Sequence, residues 1–359
     1  MSNFRGAWQG EGDVPKHASK VDIRFGNGLL KKESLEWPNY FVVTSPSAHK
    51  SAKSEFANQP ESIGYAKWLD WTHLQEITDS VPNNVGLIVG VGGGIALDAS
   101  KYVALKKQIP LILVPTIVSS GAIIHGMFAK WSGNKIVGGT KDMPWVDADH
   151  VLVDYGVVHK APYYLNTSGL GDVLCGYASL SEWRYKTKNG IGPAYDPDET
   201  KLVTQHHNKI VTQFPETFDS KRMLTDESIK FIMTAVQDRD SNRFRHPSAP
   251  GSDHTFWMAA EEVNKKGWIH GGFVALSAVI VAWHCDQNPE TLIGWLDKCK
   301  VRFRPSEIAV SRIELQRALE FIPSYMTDMA DGINMDSILR NDPIVSSRFE
   351  LLWEFLQTI

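Results

Sequence analysis

Apolar positions along the chain follow two rhythms. In the first half, short unbroken runs rich in β-branched residues recur: "YFVVTS" at 40–45, "NVGLIVGV" at 84–91, "PLILVPT" at 110–116 and "HVLVDY" at 150–155. Runs of this kind predict strands buried on both faces. Between them, "AHKSAKSEFA" and "ALDASKYVALKK" place apolar groups at helical spacing. The alternation predicts right-handed β-α-β units and a mainly parallel sheet, with ligands outside the carboxyl ends of the strands. After about residue 160 the strand rhythm stops. "GLGDVLCGYASLSEWRYK", "DETKLVTQHHNKIVTQF", "DESIKFIMTAVQD", "GWIHGGFVALSAVIVAW", "PETLIGWLDKCK" and "SRIELQRALEFI" all read as helices. The expected architecture is α/β: a Rossmann-like parallel-sheet domain over 1–160, an all-helical domain over 161–359, and a cleft between them. "APYYLNTSG", with its proline and small polar residues, marks the junction.

Composition narrows the function classes. The 359 residues suit two domains, and 43% hydrophobic with 22% charged residues is the balance of a globular protein. With 37 basic and 41 acidic residues the net charge is -4, and no basic block suggests nucleic acid. Small-molecule substrates are expected instead. Cys175, Cys285 and Cys299 lie far apart without Cys-x-x-Cys spacing, which argues against a disulfide framework or a thiolate zinc site. Buried thiols in a reducing cytosol are expected. No signal-peptide pattern opens the chain, and "GWIHGGFVALSAVIVAWH" carries histidines and glycines that mark a buried helix rather than a membrane span. These features describe a cytoplasmic enzyme.

The densest chemical signal is "GVGGGIALDASK" at 90–101. Its glycines fall between a strand and a helix N-terminus, where unpaired N–H groups and the helix dipole favour an anion. Ile95 stands where G-x-G-x-x-G needs its last glycine, and no Gly-Lys-Ser/Thr follows. A phosphate cradle and a structural turn both remain open on the glycines alone. Asp98 and Lys101, three positions apart, share one helical face, where an ion pair on a solvated face is the alternative to a functional role.

With its downstream residues, this segment resembles the Gly-Gly-Gly-x-x-x-Asp-x-x-Lys signature of the superfamily of glycerol dehydrogenase, glycerol-1-phosphate dehydrogenase, iron-containing alcohol dehydrogenases and, more distantly, dehydroquinate synthase. The resemblance implies that Gly92, Gly93 and Gly94 hold the pyrophosphate of a nicotinamide dinucleotide, with Asp98 toward the nicotinamide. "PTIVSSG" at 115–121 is similar to the next cofactor loop, in which Thr116 and Ser119 would contact phosphate and nicotinamide. The likeness runs from about residue 22 to about 285, and the order of its motifs is more specific than any one of them.

Three further segments, "GLGDVLCGY", "PGSDHTFWMAAEE" and "WIHGGFVAL", offer Asp172, His254 and His270. Taken singly, Asp172 reads equally as an acid at a helix N-terminus, and each histidine as a packed or capping residue. Taken together they resemble, in order, the sites that give one aspartate and two histidines to a divalent metal in this superfamily. "PSAPGSDH" is particularly like the Gly-Ser-Glu-His segment of glycerol-1-phosphate dehydrogenases. Such a set leaves open positions on Zn²⁺, the favoured ion, or on Fe²⁺ or Ni²⁺. Asp98, Lys101 and His254 are the candidate catalytic residues. His206 and His207 read as a solvated helix face. His284, about 21 Å from His270 by helix rise, falls outside the site, and His125 follows the cofactor loop.

Several positions depart from the superfamily pattern. Met258 stands where a second histidine commonly follows the first by four positions, and a thioether carries no transferable proton. His270-Gly271-Gly272 replaces the frequent His-Gly-Glu, and Gly121 replaces the aspartate of glycerol dehydrogenases. The strand ends in "VVTSPSAHK", with Ser45 and Ser47 but no acid to accept the adenosine ribose and with Lys50 and Lys53 nearby, so NADP(H) is expected to be tolerated or preferred. The expected activity is a metal-dependent NAD(P)-linked alcohol or polyol dehydrogenase. A phosphorylated polyol or sugar is the favoured substrate; Arg243 and Arg245, close in sequence to His254, read equally as phosphate contacts and as surface-loop arginines. The alternatives are a dehydroquinate-synthase-like sugar phosphate cyclase using NAD and metal, suggested by "HTFWMAAEE", and a non-catalytic dinucleotide-binding module. The resemblance also implies a homo-oligomer.

Overall fold

The computed structural model describes residues 4–5, 21–126, 128, 131–132, 135–136, 145–190, 194–240, 251–325 and 337–359. The chain forms two compact units, one drawn chiefly from Met1–Asn166 and the other from Thr167–Arg239 with Arg243–Ile359.

The first unit is built on six parallel strands: β1 (Asp22–Gly26), β2 (Tyr40–Thr44), β3 (Ser62–Tyr65), β4 (Leu87–Gly92), β5 (Leu111–Pro115) and β6 (His150–Asp154). Their order across the sheet is β1-β6-β5-β4-β2-β3. The four apolar runs are β2, β4, β5 and β6, which occupy the interior of the sheet and are almost wholly buried. The two strands without an apolar run, β1 and β3, are its edges, where half-exposed positions dilute the apolar signal. One face of the sheet buries Tyr40, Val42, Leu87, Val89, Val91, Ile112, Val114 and Leu152 in a single cluster with Leu30 and Phe56. Helices α1 (Leu29–Glu33), α2 (Pro46–Ala52), α3 (Trp71–Asp79) and α4 (Gly94–Lys107), with a short helical turn at Tyr155–Val158, belong to this unit.

Strand order locates the place where a ligand can enter. From β2 the chain steps outward to β3, then returns past β2 to β4 and proceeds in the opposite direction to β5 and β6. The direction therefore reverses between β2 and β4, and the crevice outside their carboxyl ends is the topological switch point. Thr44 and Gly92, the last residues of those strands, lead into Ser45 and the glycine loop.

The described elements of the second unit are helical: α5 (Tyr163–Leu174), α6 (Gly176–Lys188), α7 (Pro197–Gln213), α8 (Asp226–Asp240), α9 (Ser252–Asn264), α10 (His270–His284), α11 (Pro289–Lys298), α12 (Arg312–Phe321) and α13 (Ser346–Thr358), with shorter turns between. The run "GLGDVLCGYASLSEWRYK" is two helices, α5 and α6, separated at Cys175. The stretch "APYYLNTSG" is taken up largely by α5. Helix α10 is the unit's centre, buried at every position from Gly271 to Ala282 and packed by α6, α9 and α11. Burial on all sides explains its uniform apolarity. Among the described residues, no helix is long and apolar enough to cross a membrane.

The three cysteines are free and buried. His206 and His207 correct an expectation: they are 7% and 2% exposed rather than on a solvated face. Helix α7 turns this polar pair inward, where the His207 ring meets Trp295 edge-on with centroids 5.8 Å apart and its Nε2 lies against Gly176.

Candidate functional site

In the first unit, β4 enters α4 through Gly92 and Gly93. Gly92 has φ +151°, which L side chains rarely adopt, and a Cβ there would lie 2.8 Å from the Ala96 Cβ. Backbone conformation alone thus accounts for glycine at this position. Gly94 differs: a Cβ there would meet nothing nearer than the Ser120 Oγ at 3.6 Å, so internal packing does not require glycine. The α4 N-cap, Gly93, supplies no side-chain hydrogen bond. The first N–H groups of a 14-residue helix are thus uncapped by its own N-cap side chain, at the switch point, beside a residue whose missing Cβ leaves room for a ligand.

The loop after β5 is held against this turn. Thr116 N–H donates to the Gly92 carbonyl at 3.0 Å, and Val118 N–H donates to the buried Asn166 Oδ1 at 3.0 Å. Thr116 and Ser119 are 7% and 8% exposed. Ser45 accepts from Ala48 N–H at 3.3 Å, capping α2 at the end of β2.

The Asp98–Lys101 pair is buried, not solvated. Lys101 is fully enclosed, and its Nζ donates to Asp98 Oδ1 at 2.8 Å and to the Ala122 carbonyl at 2.7 Å. Helix α4 is covered along its middle, from Ala96 to Ala104, so no solvated face exists there for an ion pair. The ammonium links α4 to the turn that follows the loop after β5. His125 follows that turn, its N–H bonded to the Gly121 carbonyl at 3.1 Å.

In the second unit, Asp172, His254 and His270 converge from α5, α9 and α10. Their ligand atoms lie within 4.8 Å of one another. His254 Nε2 and His270 Nε2 are each 3.3 Å from Asp172 Oδ1. Ligands about 2.0–2.1 Å from a tetrahedral zinc are separated by about 3.3–3.4 Å, so both edges have the length that such an ion requires. Asp172 is 1% exposed, and its Oδ1 faces Arg239 Nη1 at 2.5 Å as well as the two imidazole nitrogens. A buried carboxylate oxygen on which two imidazole nitrogens converge, one carboxylate and two neutral imidazoles in all, is a donor set that fits a divalent cation.

Close helix contact builds this convergence. A Cβ on Gly171 would lie 2.4 Å from the Gly271 carbonyl oxygen, and one on Gly271 would lie 1.8 Å from the Ser168 carbonyl oxygen. The backbones of α5 and α10 touch where each carries a glycine next to a candidate ligand. His270 is fixed further by Trp257, whose ring meets it edge-on with centroids 4.3 Å apart.

Two residues outside the sequence expectation join the cluster. Arg239 Nη1, from the last turn of α8, is 2.5 Å from Asp172 Oδ1 and donates to the Asp172 main-chain carbonyl at 3.0 Å. Burial alone would raise the Asp172 carboxyl; the Arg239 charge, then His270 and hydrogen bonds from both histidines, hold it well below the ordinary value. No local pattern in "AVQDRDS" singles out Arg239. Asp253 is the second: its Oδ2 is 2.8 Å from His254 Nδ1. An acid immediately before a candidate ligand was a readable signal in "GSDH". Burial disfavours the charge on His254, but the Asp253 and Asp172 carboxylates outweigh it and raise its pKa well above the ordinary value.

The start of α9, which carries His254, is fastened by a buried acid from α6. Glu182 Oε2 accepts Ser252 N–H at 2.9 Å, while Oε1 accepts the Ser252 hydroxyl and Ile338 N–H at 2.8 Å each. Lys186 Nζ balances its charge at 3.0 Å. Met258 is buried at 4% exposure, without a proton to give. His284 is buried separately, 3.4 Å from Asp342. Arg243 and Arg245 lie outside the described residues.

Further along α9, Glu261 accepts Trp268 N–H at 3.0 Å, and burial pushes its carboxyl from 4.5 up to about 7. A folded-state value above the unfolded one means that its protonated form supports folding below about pH 4.5 and that this support is lost as pH rises through 7. The difference is worth at most about 3 kcal/mol. Glu261→Gln keeps an acceptor for Trp268 without the charge. Thermal denaturation should find the variant more stable than the parent at pH 8 and equal to it near pH 4.5; equal stability at both would disprove the buried charge cost.

Comparison with known proteins extends the picture. Residues 23–162 match the family described as iron-containing alcohol dehydrogenase. A glycerol-1-phosphate dehydrogenase [NAD(P)+] of Metallosphaera sedula is 26% identical over 333 residues, covering 86% of this chain and 91% of the relative. One from Cenarchaeum symbiosum is 26% identical over 81% of this chain and 73% of its own length. Glycerol dehydrogenase from Schizosaccharomyces pombe superposes with a TM-score of 0.65 at 15% identity, covering 94% of this chain and 90% of that one. A probable glycerol dehydrogenase from Sinorhizobium meliloti gives 0.66 at 14% identity, over 94% and 98%. The resemblance carried by the motifs is borne out, and the fold is that of these dehydrogenases.

Proposed function

We propose that this protein is a metal-dependent, NAD(P)-linked dehydrogenase that interconverts a secondary alcohol of a polyol and the corresponding ketone, with a phosphorylated polyol as substrate. The observation that carries the reading is the Asp172–His254–His270 set, whose 3.3 Å edges suit a tetrahedral ion, in a chain with a glycine loop at a sheet's switch point. The relatives' printed activity supports the phosphorylated substrate. A divalent ion held by these three side chains would polarise the substrate oxygen, and a nicotinamide dinucleotide would exchange hydride at the carbinol carbon.

The chain's own residues supply binding and alignment. The N–H groups at the start of α4 would hold a pyrophosphate, with Gly92, Gly93 and Gly94 forming the loop and Thr116 and Ser119 beside it. Asp98, held by Lys101 at 2.8 Å, would lie toward the nicotinamide. His254 and His270 present Nε2 and Asp172 presents Oδ1, while Trp257 covers one side of the His270 ring. Met258 cannot relay a proton, so protonation of the substrate oxygen uses solvent or a cofactor hydroxyl. The three buried free thiols suit a reducing cytoplasm, and the family resemblance supports a homo-oligomer.

The test is reduced-nicotinamide oxidation with dihydroxyacetone phosphate, dihydroxyacetone and a panel of other ketones, before and after chelation. Turnover that disappears with the metal and is at least tenfold more efficient with the phosphorylated ketone supports the reading. Equal rates remove the phosphate preference, and metal binding without net turnover points to a cyclase or a binding protein. Because Ser45 and Ser47 replace an acid at the end of β2, NADPH should serve at least as well as NADH. A tenfold preference for NADH would contradict that assignment.

A further inference from the structure

The two candidate histidine ligands are oriented by different means. His270 Nδ1 is buried without a hydrogen-bond partner, and its ring is held by the edge of Trp257. His254 Nδ1 instead meets a carboxylate oxygen, Asp253 Oδ2, at 2.8 Å. Asp253 is 1% exposed, and its other oxygen accepts Gly251 N–H at 3.1 Å. Each oxygen therefore has a separate task. Oδ1 satisfies a main-chain donor beside the start of α9, as any acid in the first helical turn could. Oδ2 reaches the next side chain, contributing nothing to the backbone.

We propose that Asp253 is a positioning residue for the metal centre, holding His254 in the tautomer with its proton on Nδ1 so that the Nε2 lone pair points into the Asp172–His270 cluster. An imidazole with its proton on Nε2 would turn a hydrogen, not a lone pair, toward that cluster. The Asp253 carboxylate, an acceptor only, selects against that tautomer because it would leave the oxygen facing a second lone pair. It also increases the basicity of Nε2. The main chain places it: Glu182 pins Ser252, Asp253 pins Gly251, and the following residue is His254. The Cys175 thiol, donating to the Asp172 carbonyl at 2.9 Å, lies in the same group of potential ligand atoms, within 4.8 Å, as Asp253 and His254.

This inference rests on the metal reading above. Its test compares the full-length parent with Asp253→Asn for Zn²⁺ affinity, by competition with a chelator, and for the visible absorption of bound Co²⁺. Affinity should fall about ten- to a hundredfold, the usual effect of losing an outer-shell carboxylate, and the Co²⁺ bands should shift. An affinity within twofold of the parent with an unchanged Co²⁺ spectrum overturns the role. Should the variant fail to fold, nitrogen-15 histidine spectra of the zinc-loaded parent read the tautomer directly, with His254→Gln assigning the signal. A proton on Nδ1 supports the proposal, and a proton on Nε2 overturns it. A parent that binds no stoichiometric Zn²⁺ or Co²⁺ defeats the metal reading itself, and the inference with it.

Discussion

His270→Ala should abolish both stoichiometric metal binding and nicotinamide turnover while leaving the helical unit folded. His270 offers one of three candidate ligand atoms, 3.3 Å from Asp172 Oδ1, and apart from His254 no histidine belongs to that group among the described residues. Removing it leaves one imidazole and one carboxylate. Loss of affinity should exceed the roughly hundredfold typical of outer-shell changes. The truncation also removes the ring packed against Trp257, so a modest fall in melting temperature is expected. Elemental analysis after gel filtration and reduced-nicotinamide absorbance are the measurements, with circular dichroism as the folding control. A variant with full metal content and full turnover would show that the chemistry lies elsewhere.

Gly271→Ala is expected to disable the same site without touching a ligand. The added methyl would stand 1.8 Å from the Ser168 carbonyl oxygen and 2.7 Å from its carbon. Both are main-chain atoms of α5, so no side chain can rotate away; the two helices must separate or bend. Overpacking of a close contact costs about 1–3 kcal/mol, and a clash against backbone belongs at the upper end. In a unit of this size that corresponds to a fall in melting temperature of about 5–10 °C. The functional effect should be larger, since Asp172 and His270 adjoin the two glycines of the contact and move apart with the helices. Zinc affinity should therefore fall by more than the stability change alone would suggest. Unchanged affinity and melting temperature would mean that the crossing has room that the structure does not show.

Local pattern and tertiary structure contributed differently to this protein. The interior strands were legible because burial on both faces requires unbroken apolar runs, as in "YFVVTS" and "PLILVPT". The edge strands "DIRFG" and "SIGY" were not, because a half-exposed strand has no such requirement. The glycine loop stood out because a strand-to-helix turn with φ +151° at Gly92 restricts residue type. The direction of β2, β3 and β4, which makes that turn a switch point, is a property of strand order and has no local signature.

The same division holds at the helical centre. Sequence order brought Asp172, His254 and His270 to notice as a set, on resemblance. Their common location came from the crossing of α5 and α10 at Gly171 and Gly271, a contact between residues a hundred positions apart. Burial was likewise decided late: His206 with His207 read as a solvated face, and a solvated ion pair stood as the alternative for Asp98 with Lys101, because periodicity reports only a helix's own faces. Whether a polar face meets water depends on what packs against it. Arg239 reaches Asp172 across 67 residues through the placement of α8. Residue type and spacing along one element, by themselves, determined the interior strands and the helices, and the order of motifs, through resemblance, the candidate ligands. Charge state, convergence and orientation depend on atoms supplied by other elements, and only the tertiary structure decided them.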